Sequence, residues 1–175
     1  MNSSNGYINH LGVNPEAENA NGLRAFAVLG QFLEEDGWHP QRVENRYVYT
    51  MHYSGQNGTV RCYAQVRVDL EQFMFYAVVP VKAQPETLSA VSEYLNRANF
   101  GMRIGNFELD YSDGEVRYKS SIDFEGQELT PMLIKHAIYP AVQTTDRYLP
   151  SLLSVIYGGK TPLDAIIEVE GSEEE

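Results

Sequence analysis

The chain has 175 residues, of which 43% are hydrophobic, and carries a net charge of −11 at pH 7. That is the size of one ordinary domain with enough apolar side chains to bury its own core, and the lone cysteine, Cys62, excludes an internal disulfide and any Cys-only metal cluster. The chain stays acidic even without the five acids of its final EVEGSEEE stretch, which excludes generic binding of nucleic acid and of anionic membrane surfaces, both of which need a net basic face.

Residues 1–21 are polar and rich in Asn, and read as a flexible N-terminal segment. They lack the basic start and apolar stretch of a signal peptide. The longest apolar run, FMFYAVVPV from Phe73 to Val81, falls far short of the roughly 20 residues that a membrane helix needs. A single cysteine fits a reducing compartment, so a soluble cytoplasmic protein is expected.

From Leu23 the spacing of Phe26, Leu29 and Leu33 predicts a helix, with Asn21 as its N-cap. Gly37 fits a left-handed stop, with Trp38 folding back on the last turn. Tyr47, Tyr49, Met51 and Tyr53 then alternate with polar residues up to the turn cluster SGQNG at 54–58. The clearest alternation follows. Val60, Cys62, Ala64, Val66 and Val68 share one face of a strand, and Arg61, Tyr63, Gln65 and Arg67 share the other. The run from Phe73 to Val81 is apolar on both faces and reads as a central strand.

Pro85 suits the first turn of a second helix, with Leu88, Val91, Leu95 and Ala98 as its buried stripe and Gly101 as its end. Met102 and Ile104 are out of phase with Phe107, Leu109 and Tyr111, which predicts a strand with a bulge at Gly105-Asn106. Asp113-Gly114 is a hairpin turn signal, and Val116, Tyr118 and Ile122 continue into a fifth strand. Thr130 and Pro131 open a third helical region, which Pro140 and Pro150 should kink or split and Gly158-Gly159 should stop.

The order is α-β-β-β-α-β-β-α. The expected fold is α+β: an antiparallel sheet of about five strands with helices packed on one face. The domain occupies residues 22–166, and 167–175 form an acidic disordered tail.

Few motifs carry chemistry. YGGKTP, ending at Pro162, contains Gly-Lys-Thr, but a phosphate loop requires glycine where Ser154 stands and a helix after it. DYSDGE at 110–115 and DFEGQE at 123–128 are turn sequences without the calcium-loop pattern. His10, His39, His52 and His136 lack metal-ligand spacing. Cys62, on the apolar side of its strand, reads as an inert core thiol. Asn57-Gly58-Thr59 matches a glycosylation acceptor, without meaning in a chain that is not secreted. No Gly-x-Ser-x-Gly elbow occurs. No catalytic, cofactor or metal residue is assigned.

One grouping stands out. Arg61 and Arg67 on the second strand, Arg103 on the fourth, and Arg117 and Lys119 on the fifth gather bases around Tyr63 in an acidic protein. If the helices cover the other side, these six form a partner-binding face for an acidic or extended peptide. A solvated face with cross-strand pairs to Glu108 and Glu115 would use the same residues, and so would docking of the chain's own Glu173–Glu175 tail.

LNRANFGMRIGNFELDYSDGEVRYKSSIDFEG, followed by PAVQTTDRYLPSLLSVIYGG, resembles the YbjN-domain family, over roughly Leu23 to Ala165. The resemblance implies the fold of type III secretion chaperones, with the element order already read. It also implies an acidic homodimer that holds an unfolded stretch of a client protein, and a label as a sensory transduction regulator. The family offers no catalytic residues to carry over. The expected function is a non-enzymatic, chaperone-like or regulatory domain that captures a segment of a partner protein. The alternatives are a small enzyme or small-molecule-binding regulator with an unrecognised pocket, and a structural subunit of a larger complex.

Overall fold

The structure, a computed structural model, describes residues 19–171. Helix α1 (Ala20–Glu35) precedes strands β1 (Gln41–Arg42), β2 (Val48–Ser54), β3 (Thr59–Arg67) and β4 (Gln72–Lys82). Helix α2 (Leu88–Phe100), β5 (Asn106–Leu109), β6 (Glu115–Asp123), α3 (Pro131–Tyr157) and α4 (Pro162–Gly171) complete the chain. The strands form one antiparallel sheet in the order β1-β2-β3-β4-β6-β5.

The α+β architecture is as expected, with one strand and one helix more. β1 is two residues long, too short to leave a periodic signal. α4 lies partly in the stretch expected to be a disordered tail. It is helical through Gly171 and buries Ala165, Ile166 and Val169 against α2 and α3, an apolar stripe hidden among glutamates. Residues 1–18 and Glu173–Glu175 lie outside the described residues. Among the described residues, no helix is long and apolar enough to cross a membrane.

α1 ends as its sequence requires. Gly37 takes φ 80° and lets the Trp38 N–H reach Leu33 O at 2.9 Å, so the indole folds back into the core. Its N-cap is Asn19, whose side chain accepts from the Asn21 and Gly22 N–H groups, not Asn21 as expected. α2 starts at Leu88, after rather than at Pro85. Met102 and Ile104 belong to no strand, because β5 begins at Asn106. The irregularity expected at Gly105-Asn106 occurs instead between Val78 and Lys82 of β4, where Pro80 has no N–H to give the ladder. The hairpin turn at Asp113-Gly114 forms as read, with Gly114 at φ 75°.

The helices all pack on the same face of the sheet. Phe73, Phe75, Ala77 and Val79 of β4, with Val116 and Tyr118 of β6, are buried beneath α3, which carries Ile134, Ile138, Leu149 and Leu152. Helix α1 packs on β3 and α2 on β5.

α3 runs unbroken through Pro140 and Pro150, where the sequence predicts kinks or a split. An interior proline costs a helix about 3 kcal/mol, partly by removing the N–H that would bond the carbonyl four residues back. For Pro150 that carbonyl belongs to Asp146, and Asn57 Nδ2 donates to it at 3.0 Å. The same Asp146 receives the Gln56 N–H on Oδ2 at 2.9 Å and the Asn57 N–H on Oδ1 at 2.8 Å. The β2–β3 turn therefore clasps α3 where its ladder is interrupted. Gly55 is needed for this approach: a Cβ there would lie 2.2 Å from Asp146 Oδ1.

Asp146→Ala leaves two turn N–H groups without an acceptor and should cost about 2–3 kcal/mol, read from urea unfolding. A loss within measurement error would show that the turn is held by packing alone. Asn57→Ala should cost about 1 kcal/mol in the native background, and less in a Pro150→Ala background, where a helical N–H can take the Asp146 carbonyl. Equal costs in both backgrounds would sever the link between turn and proline.

Candidate functional site

The side of the sheet away from the helices is arranged in cross-strand rows. One row runs His52, Arg61, Val78, Arg117, Glu108 from β2 to β5, and the next runs Thr50, Tyr63, Tyr76, Lys119, Asn106. Below them lie Val48, Gln65, Met74 and Ser121, and then Arg67, Gln72 and Asp123 at the β3–β4 turn. Alternation thus brings five of the six expected residues, Arg61, Tyr63, Arg67, Arg117 and Lys119, onto one face.

Arg103 is not among them. It sits in the link between α2 and β5, on the helical side. There it lines a cleft of about 530 Å³ with Tyr118, Pro140, Thr144, Arg147 and Glu170. The out-of-phase apolar residues around it are loop residues, so period-2 reasoning does not apply to them.

The centre of the face is drier than a solvated sheet surface. Tyr63 is 8% exposed, Tyr76 5% and Val48 1%, and they form an apolar cluster with Val43, Met74 and Val78. Alternation does not reveal this cluster, because Tyr76 and Met74 lie inside a run that is apolar throughout. Their face is assigned only by register with β3.

Glu108 organises the charges beside this cluster. Arg117 Nε donates to its Oε2 at 2.7 Å, and Lys119 Nζ pairs with its Oε1. Burial disfavours the carboxylate, but the hydrogen bonds from Lys119 and Arg117 outweigh it and hold the acid below its ordinary range. The Arg117 guanidinium also lies 4.5 Å from the Tyr76 ring centroid. Burial pushes the Tyr76 phenol up, with Arg117 opposing. Of the two acids expected to pair with these bases, Glu108 does so. Glu115 makes no ion pair among the described residues, and burial pushes its carboxyl up to about 7 against the pull of Arg117.

Two buried polar atoms lie lower on the same face. Gln65 is 3% exposed, yet its Oε1 has no hydrogen-bond partner, and neither does Arg67 Nε. A native fold rarely leaves such atoms orphaned. They are positions where an added chain could bond.

The remaining candidates fall to structural roles. Cys62 is fully buried, and burial pushes its thiol up to about 12. A helix, α4, does follow the Gly-Lys-Thr sequence, contrary to expectation, but a helix rather than a strand precedes it, and Lys160 closes the α3–α4 turn, its N–H on Ser154 O at 3.1 Å and its Nζ on Glu168 at 2.5 Å. Asp110 Oδ1 accepts the Ser112 N–H at 2.8 Å inside the β5–β6 turn. Among the described residues no three His, Cys, Asp or Glu side chains converge as a metal site.

A family model described as "YbjN: Putative bacterial sensory transduction regulator" matches residues 26–154. No curated protein matches the sequence. Two solved structures share the fold. A chain of the ExsC-ExsE complex superposes with a TM-score of 0.51 at 13% identity, over 77% of this chain and 96% of that one. YbjN from E. coli, described as "a putative transcription regulator", superposes with a TM-score of 0.50 at 13% identity, over 75% and 87%. At such identity the likeness is one of fold.

Glu115 leads to a test by pH. Its carboxyl titrates near 4.5 when unfolded and at about 7 in the fold, so the folded chain holds this proton more tightly. The stabilisation is complete below the unfolded value and is lost as pH rises through the folded one. Glu115→Gln should therefore leave Tm little changed near about pH 5 and raise it near about pH 8. A shift of the same size at both pH values would mean that Glu115 is not buried as described.

Proposed function

Because the chain belongs to the YbjN family, we propose that it is a non-enzymatic regulatory protein that holds a segment of a partner protein on the open face of its sheet. The observation that carries this reading is the concentration of Arg61, Arg67, Arg117 and Lys119 around the buried Tyr63–Tyr76 pair, in a protein whose net charge is −11. Charge of this sign, surrounded by acidic surface, selects an acidic partner and repels basic ones. The tyrosines supply flat apolar area at small entropic cost.

The fold supports the same reading. A chain of similar fold was solved in the ExsC-ExsE complex, and type III secretion chaperones, whose fold the resemblance to the YbjN family implies, hold unfolded stretches of their clients. An extended segment suits a sheet face whose side chains stand in rows, and the outer edges β1 and β5 offer further backbone groups. Arg103, on the helical side, has no part in this face. The working unit is a single cytoplasmic domain that includes the cap Asn19, all of α1 and α4, so that residues 19–21 belong to the domain and not to the N-terminal segment expected to be flexible, acting as a homodimer.

The test is capture from a bacterial lysate with the wild-type chain and with an Arg61→Glu, Arg67→Glu, Arg117→Glu variant as baits, identified by mass spectrometry. The variant should keep its circular dichroism, since these side chains lie outside the helix-covered core, but melt lower, because Arg117→Glu removes a partner of Glu108 and sets a second carboxylate beside it. A partner enriched by the wild type and lost with the variant is the expected result, and its bound segment should be rich in Asp or Glu. Partners recovered equally by both baits would remove this face from the proposal.

A further inference from the structure

The link between α2 and β5 is pinned at its ends and in its middle. Asn99, near the end of α2, donates from Nδ2 to Phe107 O at 2.9 Å and accepts the Phe107 N–H on Oδ1 at 2.7 Å, so its side chain brackets the start of β5. Tyr118 of β6 donates its phenol to Ile104 O, and Met102 Sδ lies 3.7 Å from the same oxygen. Gly105, at φ 75°, permits the close approach, since a Cβ there would lie 2.5 Å from Lys119 O. This fixed loop nevertheless turns large apolar side chains outward. Phe100 is 97% exposed and Ile104 47%. Arg103, beside Ile104, is exposed too, and makes no hydrogen bond or ion pair among the described residues. A loop held in place while showing apolar and cationic groups to solvent has the makeup of a binding loop.

The other wall of the cleft is one face of α3, where Pro140, Thr144, Arg147 and Tyr148 recur at helical spacing. Its groups are set before any ligand arrives. Thr144 hydrogen-bonds the Tyr118 phenol. Arg147 Nη2 donates to Val169 O at 2.8 Å, and its guanidinium lies 5.8 Å from the Tyr148 ring centroid. The Tyr148 hydroxyl donates to Glu170 Oε1 at 3.0 Å. The cleft's volume of about 530 Å³ falls within the range of roughly 300–1,000 Å³ usual for small-molecule sites. We infer that it binds a small organic monocarboxylate, with the carboxylate on Arg103 and Arg147 and an apolar body against Met102, Ile104 and Pro140. The guanidinium fork matches the two oxygens of a carboxylate. The lining carries two guanidinium groups and one carboxylate, Glu170, which leaves one positive charge. That balance suits a monoanion, whereas the second negative charge of a phosphate would face Glu170. The site lies on the helical side of the sheet and does not depend on the reading of the open face.

The experiment titrates the full ¹⁵N-enriched chain with octanoate, and separately with octan-1-ol and octyl phosphate. Octanoate should shift the amide signals of Arg103, Ile104, Thr144 and Arg147 saturably, while those of Tyr63 and Tyr76 on the open face stay in place. Octan-1-ol, without the charge, should bind about tenfold more weakly. Arg103→Ala removes no contact that holds the loop, so it should keep the wild-type melting and weaken octanoate by about tenfold. The Arg61→Glu, Arg67→Glu, Arg117→Glu variant should bind octanoate as the wild type does, which separates this cleft from the partner face. Any one of four results would overturn the inference: no saturable shift, shifts centred on Tyr63 and Tyr76, unchanged affinity in Arg103→Ala, or loss of binding in the triple variant. Equal affinity for octan-1-ol, or tighter binding of octyl phosphate, would overturn the assignment of a carboxylate.

Discussion

The carboxylate of Asp146 takes two backbone N–H groups from the β2–β3 turn, and its carbonyl takes a third bond from Asn57. These bonds meet at the one point of α3 where Pro150 has removed a rung of the helix. The helix thus keeps its direction past a residue that would otherwise bend it, and the hairpin gains an anchor on the opposite layer. Because α3 lies over β4 and β6 while the hairpin supplies β2 and β3, the clasp sets the helical layer over the sheet. A buried carboxylate is costly unless its oxygens are satisfied. Here turn and helix each complete what the other lacks.

That arrangement leaves the sheet with two unlike faces. All helices are spent on one side, which is packed with Phe73, Phe75, Tyr118 and the stripe of α3. The other side has to manage its own apolar centre, and does so with Tyr63, Tyr76 and Val48 under a frame of charged side chains. Glu108 holds Arg117 and Lys119 in place and neutralises part of their charge, so the basic character shifts toward Arg61 and Arg67 on β3. The orphaned Gln65 Oε1 and Arg67 Nε lie at that same strand. Among the described residues, buried tyrosines, polar atoms without partners and a charge opposite to that of the whole protein meet on this one face, and it is on these features that the proposal of a partner surface stands.

Much of this is legible in the amino-acid sequence. Alternation assigns Val60 through Arg67 to two faces, and Asp113-Gly114, Thr130-Pro131 and Gly37-Trp38 announce a turn, a helix start and a helix end by local chemistry alone. Five of the six residues of the candidate face can be read because strand geometry is periodic. Arg103 cannot, since a loop has no period and Gly101 to Gly105 belongs to no strand. Asn19 and Asn21 are chemically equal as caps, and only the position of Glu71 and of the first turn chooses between them. α4 is hidden because its three buried residues are spaced among acids that also suit a solvated tail.

Local side-chain chemistry and apolar periodicity, which act over a few residues, determined the number and order of the main elements, the antiparallel sheet and the face on which the bases collect. The tertiary structure decided what depends on contacts between distant parts of the chain. It decided that α3 continues through two prolines, that Tyr63 is buried by Tyr76 and that Glu108 engages two bases. It also set Arg103 on the helical side, away from the other five. The physical reason is that a proline's lost bond or a buried carboxylate's cost is settled by whichever group arrives from elsewhere, and Asn57 and Asp146 lie 89 residues apart.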